Sequence, residues 1–186
     1  MLSRFRLSSV AVICLILANM ETATPQEKSD QPQNTKAKSQ IVDGAWISVS
    51  TLSKTKAGEP IRLQIELTNK GDGVLQLVYD RYRPVKVEIE VMYAAGNAVP
   101  MTAFAKKFLQ PTNPLDKLSA TIGSATTVEV LSGQSYDLSI GNIGLFFDCT
   151  LPGDYVINVK RSVMFKSPMP KSELLKTQIT FKVVGP

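Results

Sequence analysis

The feature that most constrains this chain is an apolar residue at every second position, recurring in one short stretch after another. Ile61, Leu63, Ile65 and Leu67 alternate with Arg62, Gln64, Glu66 and Thr68. Val85, Val87, Ile89, Val91 and Tyr93 point one way, and Lys86, Glu88, Glu90 and Met92 the other. Tyr155, Ile157 and Val159 repeat the pattern, as do Thr177, Ile179, Phe181 and Val183. A period of two is the signature of strands with one buried face. Further strands are expected over 46–52, with Ile47 and Val49 inward, over 74–79, over 126–131 and around Tyr136, Leu138 and Ile140. Turn residues punctuate them: Ala57-Gly58-Glu59-Pro60, Asn69-Lys70-Gly71-Asp72-Gly73, Ala94-Ala95-Gly96-Asn97 and Ser132-Gly133-Gln134. Helical spacing appears only over 102–109, with Phe104 and Phe108 on one side and Lys106 and Lys107 away from it. The pattern predicts an all-β chain, an antiparallel Greek-key sandwich of about 7–9 strands with at most one short helix.

The strands occupy only part of the chain. Arg4 and Arg6 precede an apolar run over 10–18, too short to span a bilayer comfortably. Residues 1–20 therefore read as a secretory signal peptide, with an uncleaved anchor as the alternative. Cys14 lies inside the apolar run after Val12 and Ile13, which argues against lipidation. Residues 21–40 are rich in Thr, Pro, Gln, Lys and Ser and hold no aromatic residue, so they read as a disordered tether. The sandwich is expected over 41–186. Beyond the leader only Cys149 remains, so no disulfide can form within the chain and the fold must rest on its core. Cys149 is expected to be buried, the alternative being a bridge between chains.

Leu151-Pro152-Gly153-Asp154-Tyr155 joins a turn to a strand. A Tyr at the head of an inward row resembles the tyrosine corner of immunoglobulin-like and fibronectin-like sandwiches, where the phenol packs inside and its hydroxyl bonds to backbone upstream. The segment from Ala57-Gly58-Glu59-Pro60-Ile61 through Leu67-Thr68-Asn69-Lys70-Gly71 resembles the second-strand region of bacterial immunoglobulin-like domains. That segment, Leu131-Ser132-Gly133-Gln134-Ser135-Tyr136 and the corner, in that order, are weakly similar to the BsuPI-type proteinase-inhibitor family. The resemblance implies an immunoglobulin-like fold, with proteinase inhibition as an alternative function. It assigns no inhibitory residue.

Chemistry is constrained by what is missing. The chain contains no histidine, which removes Ser-His-Asp and Cys-His catalysis and histidine-bound metals. No phosphate-binding or dinucleotide fingerprint occurs. Neither a catalytic residue, a metal site nor a cofactor is expected. One route to an enzyme stays open: Glu88 and Glu90 share a strand face, and Glu66 is placed on the same outer surface, an arrangement a carboxylate-dependent glycosidase would use. The competing account is a solvated face with Arg62 and Lys86 as partners.

Removing Arg4 and Arg6 from the 21 basic residues leaves 19 against 16 acidic ones, too mild a charge to imply nucleic acid or a membrane partner beyond the leader. The expected function is an exported, non-catalytic sandwich in the periplasm or outside a bacterial cell, monomeric, binding a protein or an envelope polymer. A structural role through strand-edge pairing is a further alternative. The candidate binding surface is the loop before the last strand, with Phe165, Lys166, Pro168, Met169, Pro170 and Lys171. It mixes apolar and basic side chains, and its prolines limit the entropy lost on binding. The irregular segment 102–124 is a second candidate, with Phe104, Phe108 and Leu109 either capping the core or forming an apolar patch.

Overall fold

A computed structural model describes residues 33–80, 86–109, 125–166 and 170–185. The expected signal peptide, most of the tether, residues 110–124, Pro168 and Met169 lie outside the described residues, as do the side chains of Phe108 and Leu109. Two sheets face each other. The smaller has the order β1 (Asn34–Lys38), β2 (Ala45–Leu52), β4 (Gln64–Asn69), β8 (Ser135–Asp137). The larger has the order β3 (Lys54–Lys56), β10 (Lys171–Val184), β9 (Gly153–Phe165), β5 (Leu75–Asp80), β7 (Ala125–Val130). β6 (Glu88–Tyr93) also pairs with β9, further along the margin that β5 occupies. Every pairing is antiparallel except β3 with β10. This is the expected all-β sandwich, and among the described residues one short α-helix, α1 (Ala103–Leu109), and a 3-10 turn, Ile143–Leu145, accompany its strands.

The alternating rows supply the interior. Ile47, Val49, Ile61, Leu63, Ile65 and Leu67 from one layer meet Leu75, Leu77, Val91, Ile157, Val159, Ile179 and Phe181 from the other, all buried. Each such side chain contributes about 1.5–3 kcal/mol when removed from water. Tyr155 is fully buried, stacked on Phe181 at 5.2 Å and tilted against Tyr93 at 5.3 Å. Its hydroxyl donates to Leu151 O at 2.6 Å, so the corner has the expected geometry. Arg161 stands in the inward row of β9, where β5 and β6 diverge. Its guanidinium donates to Val78 O and Lys86 O, both at 2.8 Å, and bridges the gap between those strands.

Three boundaries differ from the sequence reading. The ten strands among the described residues exceed the expected number because β1 and β3 carry no apolar alternation. β1 falls within the stretch read as tether: Asn34-Thr35-Lys36-Ala37-Lys38 has almost no apolar content, but pairing with β2 satisfies its backbone on one side. The β1–β2 turn runs through Asp43 and Gly44, whose φ values of 47° and 79° are the left-handed pair that a tight type I′ hairpin requires. Lastly, β10 begins at Lys171, in register with Phe165, so the hairpin holds its ladder nearly to its tip.

α1 forms where expected. Thr102 Oγ1 accepts from the Ala105 N–H at 3.1 Å and caps its first turn. Ala105 is buried, and Phe104 meets the edge of Phe146 at 5.8 Å while remaining 42% exposed.

Candidate functional site

The outer face of the four-stranded sheet is polar, and register fixes its rows. Lys36, Ser50 and Gln64 lie side by side on β1, β2 and β4. The next row is Lys38, Ser48, Glu66 and Asp137, reaching β8, and the third is Trp46, Thr68 and Ser135. β2 contributes two small side chains, Ser48 and Ser50, between neighbours that carry long ones. The result is a depression of about 480 Å³ with Lys36 on one wall, Gln64, Glu66 and Asp137 on the other, and serines at its floor. A second depression of about 440 Å³ shares Ser50 and Gln64 and continues toward Arg62 and Glu59. The two form one trough.

Its polar groups are held in place. Ser50 Oγ donates to Gln64 Oε1 at 3.1 Å. Glu66 Oε1 accepts from Thr68 Oγ1 at 3.1 Å and from Ser135 Oγ at 3.2 Å. Asp137 Oδ1 accepts from the Ser139 N–H at 2.9 Å. Hydrogen bonding from Ser139, side chain first and backbone second, holds the Asp137 carboxyl below the usual aspartate value, helped by the charge of Lys86. On the same face, Lys38 Nζ sits 3.6 Å from the Trp46 ring centroid. Glu66 and Asp137 are direct cross-strand neighbours. Two carboxylates therefore stand on this wall of the depression.

Chemically, the trough offers a cation wall, an anion wall and a hydroxyl floor. General-acid work needs a carboxyl kept protonated near neutrality, and Asp137 is shifted the other way. Among the described residues no three His, Cys, Asp or Glu side chains converge to hold a metal ion.

Phe165 is buried at 4% exposure and belongs to the core. Lys166 pairs with Glu129, and Lys171 pairs with Asp43 and Glu173 while its Nζ lies 5.3 Å from the Phe165 ring centroid. Pro170 is exposed, and Pro168 and Met169 are outside the described residues. Glu66 is not on the surface that carries Glu88 and Glu90, because β4 and β6 belong to different sheets. Glu90 is bound to Lys160 at 2.8 Å, so Lys160 takes the partner role expected of Arg62 or Lys86. Cys149 is buried, and burial pushes its thiol up to about 12.

The trough escaped the sequence reading because one of its walls is β1. Asp43-Gly44 between Val42 and Ala45 was the available signal: a hairpin turn there pairs Lys36 and Lys38 with the serines. Comparison with known proteins yields no matching family model and no similar curated protein.

Proposed function

We propose that this chain is an exported, non-catalytic sandwich module of the bacterial cell envelope that binds a protein or surface polymer across the outer face of its four-stranded sheet. The observation that carries the reading is the trough itself, with opposite charges on facing walls above a serine floor. Charge laid out in this way selects and orients a partner more than it adds affinity. The fixed hydroxyls offer hydrogen bonds without the cost of ordering long side chains. The Glu66–Asp137 pair would receive a cationic or hydrogen-donating group of the ligand.

The test is capture from envelope extract by the full chain and by two sets of variants. Lys36→Ala and Glu66→Gln with Asp137→Asn should lose the retained partner, while Lys166→Ala with Lys171→Ala should keep it. Loss confined to the hairpin variants would move the site to the β9–β10 tip. Inhibition of a member of a protease panel, unchanged by the trough variants, would replace the reading with proteinase inhibition.

A further inference from the structure

Sheet margins are templates for pairing with another chain, and folded proteins blunt them with lysine, proline or brevity. In this sandwich β1 is short and carries Lys36 and Lys38, β3 has three residues with Lys54 and Lys56, and β8 has three residues. β6 carries Glu88 and Glu90, and its far side is met by the returning chain, where the Val99 N–H donates to Val91 O at 2.8 Å. β7 differs from all of these. Its six residues, Ala125-Thr126-Thr127-Val128-Glu129-Val130, are rich in β-branched side chains and include no lysine or proline. Its only charge, Glu129, is neutralised by Lys166.

The free backbone groups of β7 can be identified. On β5, Val74 O accepts from the Lys166 N–H at 3.1 Å, and Val78 O accepts from Arg161 Nη2 at 2.8 Å. Both donors come from the β9 side. Backbone groups alternate sides along a strand, so Leu75, Leu77 and Tyr79 face β7. Their partners there are Val130, Val128 and Thr126. Among the described residues no other strand pairs with β7, so the N–H and C=O groups of Ala125, Thr127 and Glu129 are the ones presented at its margin.

We propose that this margin is the seat of a symmetric contact between two copies of the chain, β7 against β7, with the two-fold axis at Thr127. In that register Thr127 faces Thr127 and Ala125 faces Glu129 in both directions, so every presented group is used, two hydrogen bonds to each facing pair. No like charges meet, because each Glu129 lies opposite an alanine. On the inner side Thr126 comes opposite Val128, which is only partly buried against the core in one copy. The contact consumes the same margin on both copies, so it closes at two. A second copy brings the complementary register by symmetry, whereas nothing along β7 selects a foreign strand. The monomer expected from the sequence took no account of this edge.

Sedimentation equilibrium of the full chain, from micromolar to near-millimolar concentration, should show the mass rising toward that of a dimer. Thr127→Pro should weaken the association at least ten-fold with an unchanged circular dichroism spectrum, because the N–H it removes faces away from β5 and proline is tolerated on edge strands. In a background lacking both native thiols (Cys14→Ser with Cys149→Ser), Thr127→Cys should cross-link two chains under mild oxidation, since facing hydrogen-bonded residues lie within disulfide reach. Thr126→Cys, which does not face itself, should not. Should Thr127→Pro fail to fold, the cross-linking pair decides alone. Monomer at every concentration, a dimer insensitive to Thr127→Pro, or cross-linking at Thr126 in place of Thr127 would each overturn the proposal.

Discussion

The two ends of the sandwich are fastened by different means. At the start of β9 the tie is local: Tyr155 reaches back four residues to Leu151 and fills the space between Tyr93 and Phe181. At the far end of β9 the tie is tertiary. Asn69, 1% exposed, donates from Nδ2 to Gly73 O at 2.8 Å and to Val130 O at 2.9 Å, and its Oδ1 accepts from the Gly71 N–H at 3.1 Å. Its own N–H and C=O hold Gln134 and Gly133. One side chain thus joins the end of β4 in one sheet to the entry of β5 and the end of β7 in the other. Gly71 packs against the Asp43 carbonyl so closely that a methyl group would overlap it. The first tie fastens one strand to its own turn; the second locks both sheets together.

The largest effect should therefore come from Asn69. Asn69→Ala leaves two carbonyls and an N–H without their partner in a buried place, at about 1–3 kcal/mol for each group that water cannot reach. A total loss of about 3–5 kcal/mol is expected, read as the shift of the urea midpoint at constant slope. A loss below 1 kcal/mol would mean that water replaces the amide, and the contrast between the two ends would disappear.

Tyr155→Phe keeps the ring and removes one partly buried hydrogen bond to the exposed Leu151, with an expected loss of about 0.5–1.5 kcal/mol. The corner should also respond to alkali. Burial, followed by neighbouring negative charge, pushes the Tyr155 hydroxyl up to about 12 from 10.0, and burial pushes the Cys149 thiol up to about 12 from 9.0. The unfolded chain releases these protons first, so stability is whole below about pH 8 and falls as pH rises from roughly 9 toward 12. Urea midpoints across that range should decline, and Tyr155→Phe combined with Cys149→Ser should flatten the decline. An unchanged decline in the double variant would place its origin elsewhere.

The difference between the ends also explains what could be read in advance. Period-two alternation made the core strands, the fold class and the Gly96 hairpin legible, and Pro152-Gly153-Asp154-Tyr155 announced the corner because a turn and its tyrosine are adjacent in the chain. Asn69 looked like any turn residue, since its partners at Gly73 and Val130 are set by tertiary packing. β1 and the first residues of β10 show no clean apolar alternation: Thr35, Ala37 and Glu173 are half-buried, and the adjacent Leu174 and Leu175 fall on opposite sides. The serine floor acquires meaning only after β1 and β4 are placed on either side of it.

The smallest expected effect is the coupling between the two ends. Asn69 acts beside Leu75 and Val130, and Leu75 pairs with Phe165. Tyr155 lies ten residues earlier on the same strand, about 33 Å at a strand's rise per residue. Sites that far apart with no shared partner add within about 0.5 kcal/mol. A cycle of Asn69→Ala, Tyr155→Phe and the double variant should therefore close to within that margin. A larger coupling would mean that β9 transmits strain along its length, in which case the ends are one fastening and the distinction drawn from their hydrogen bonds fails.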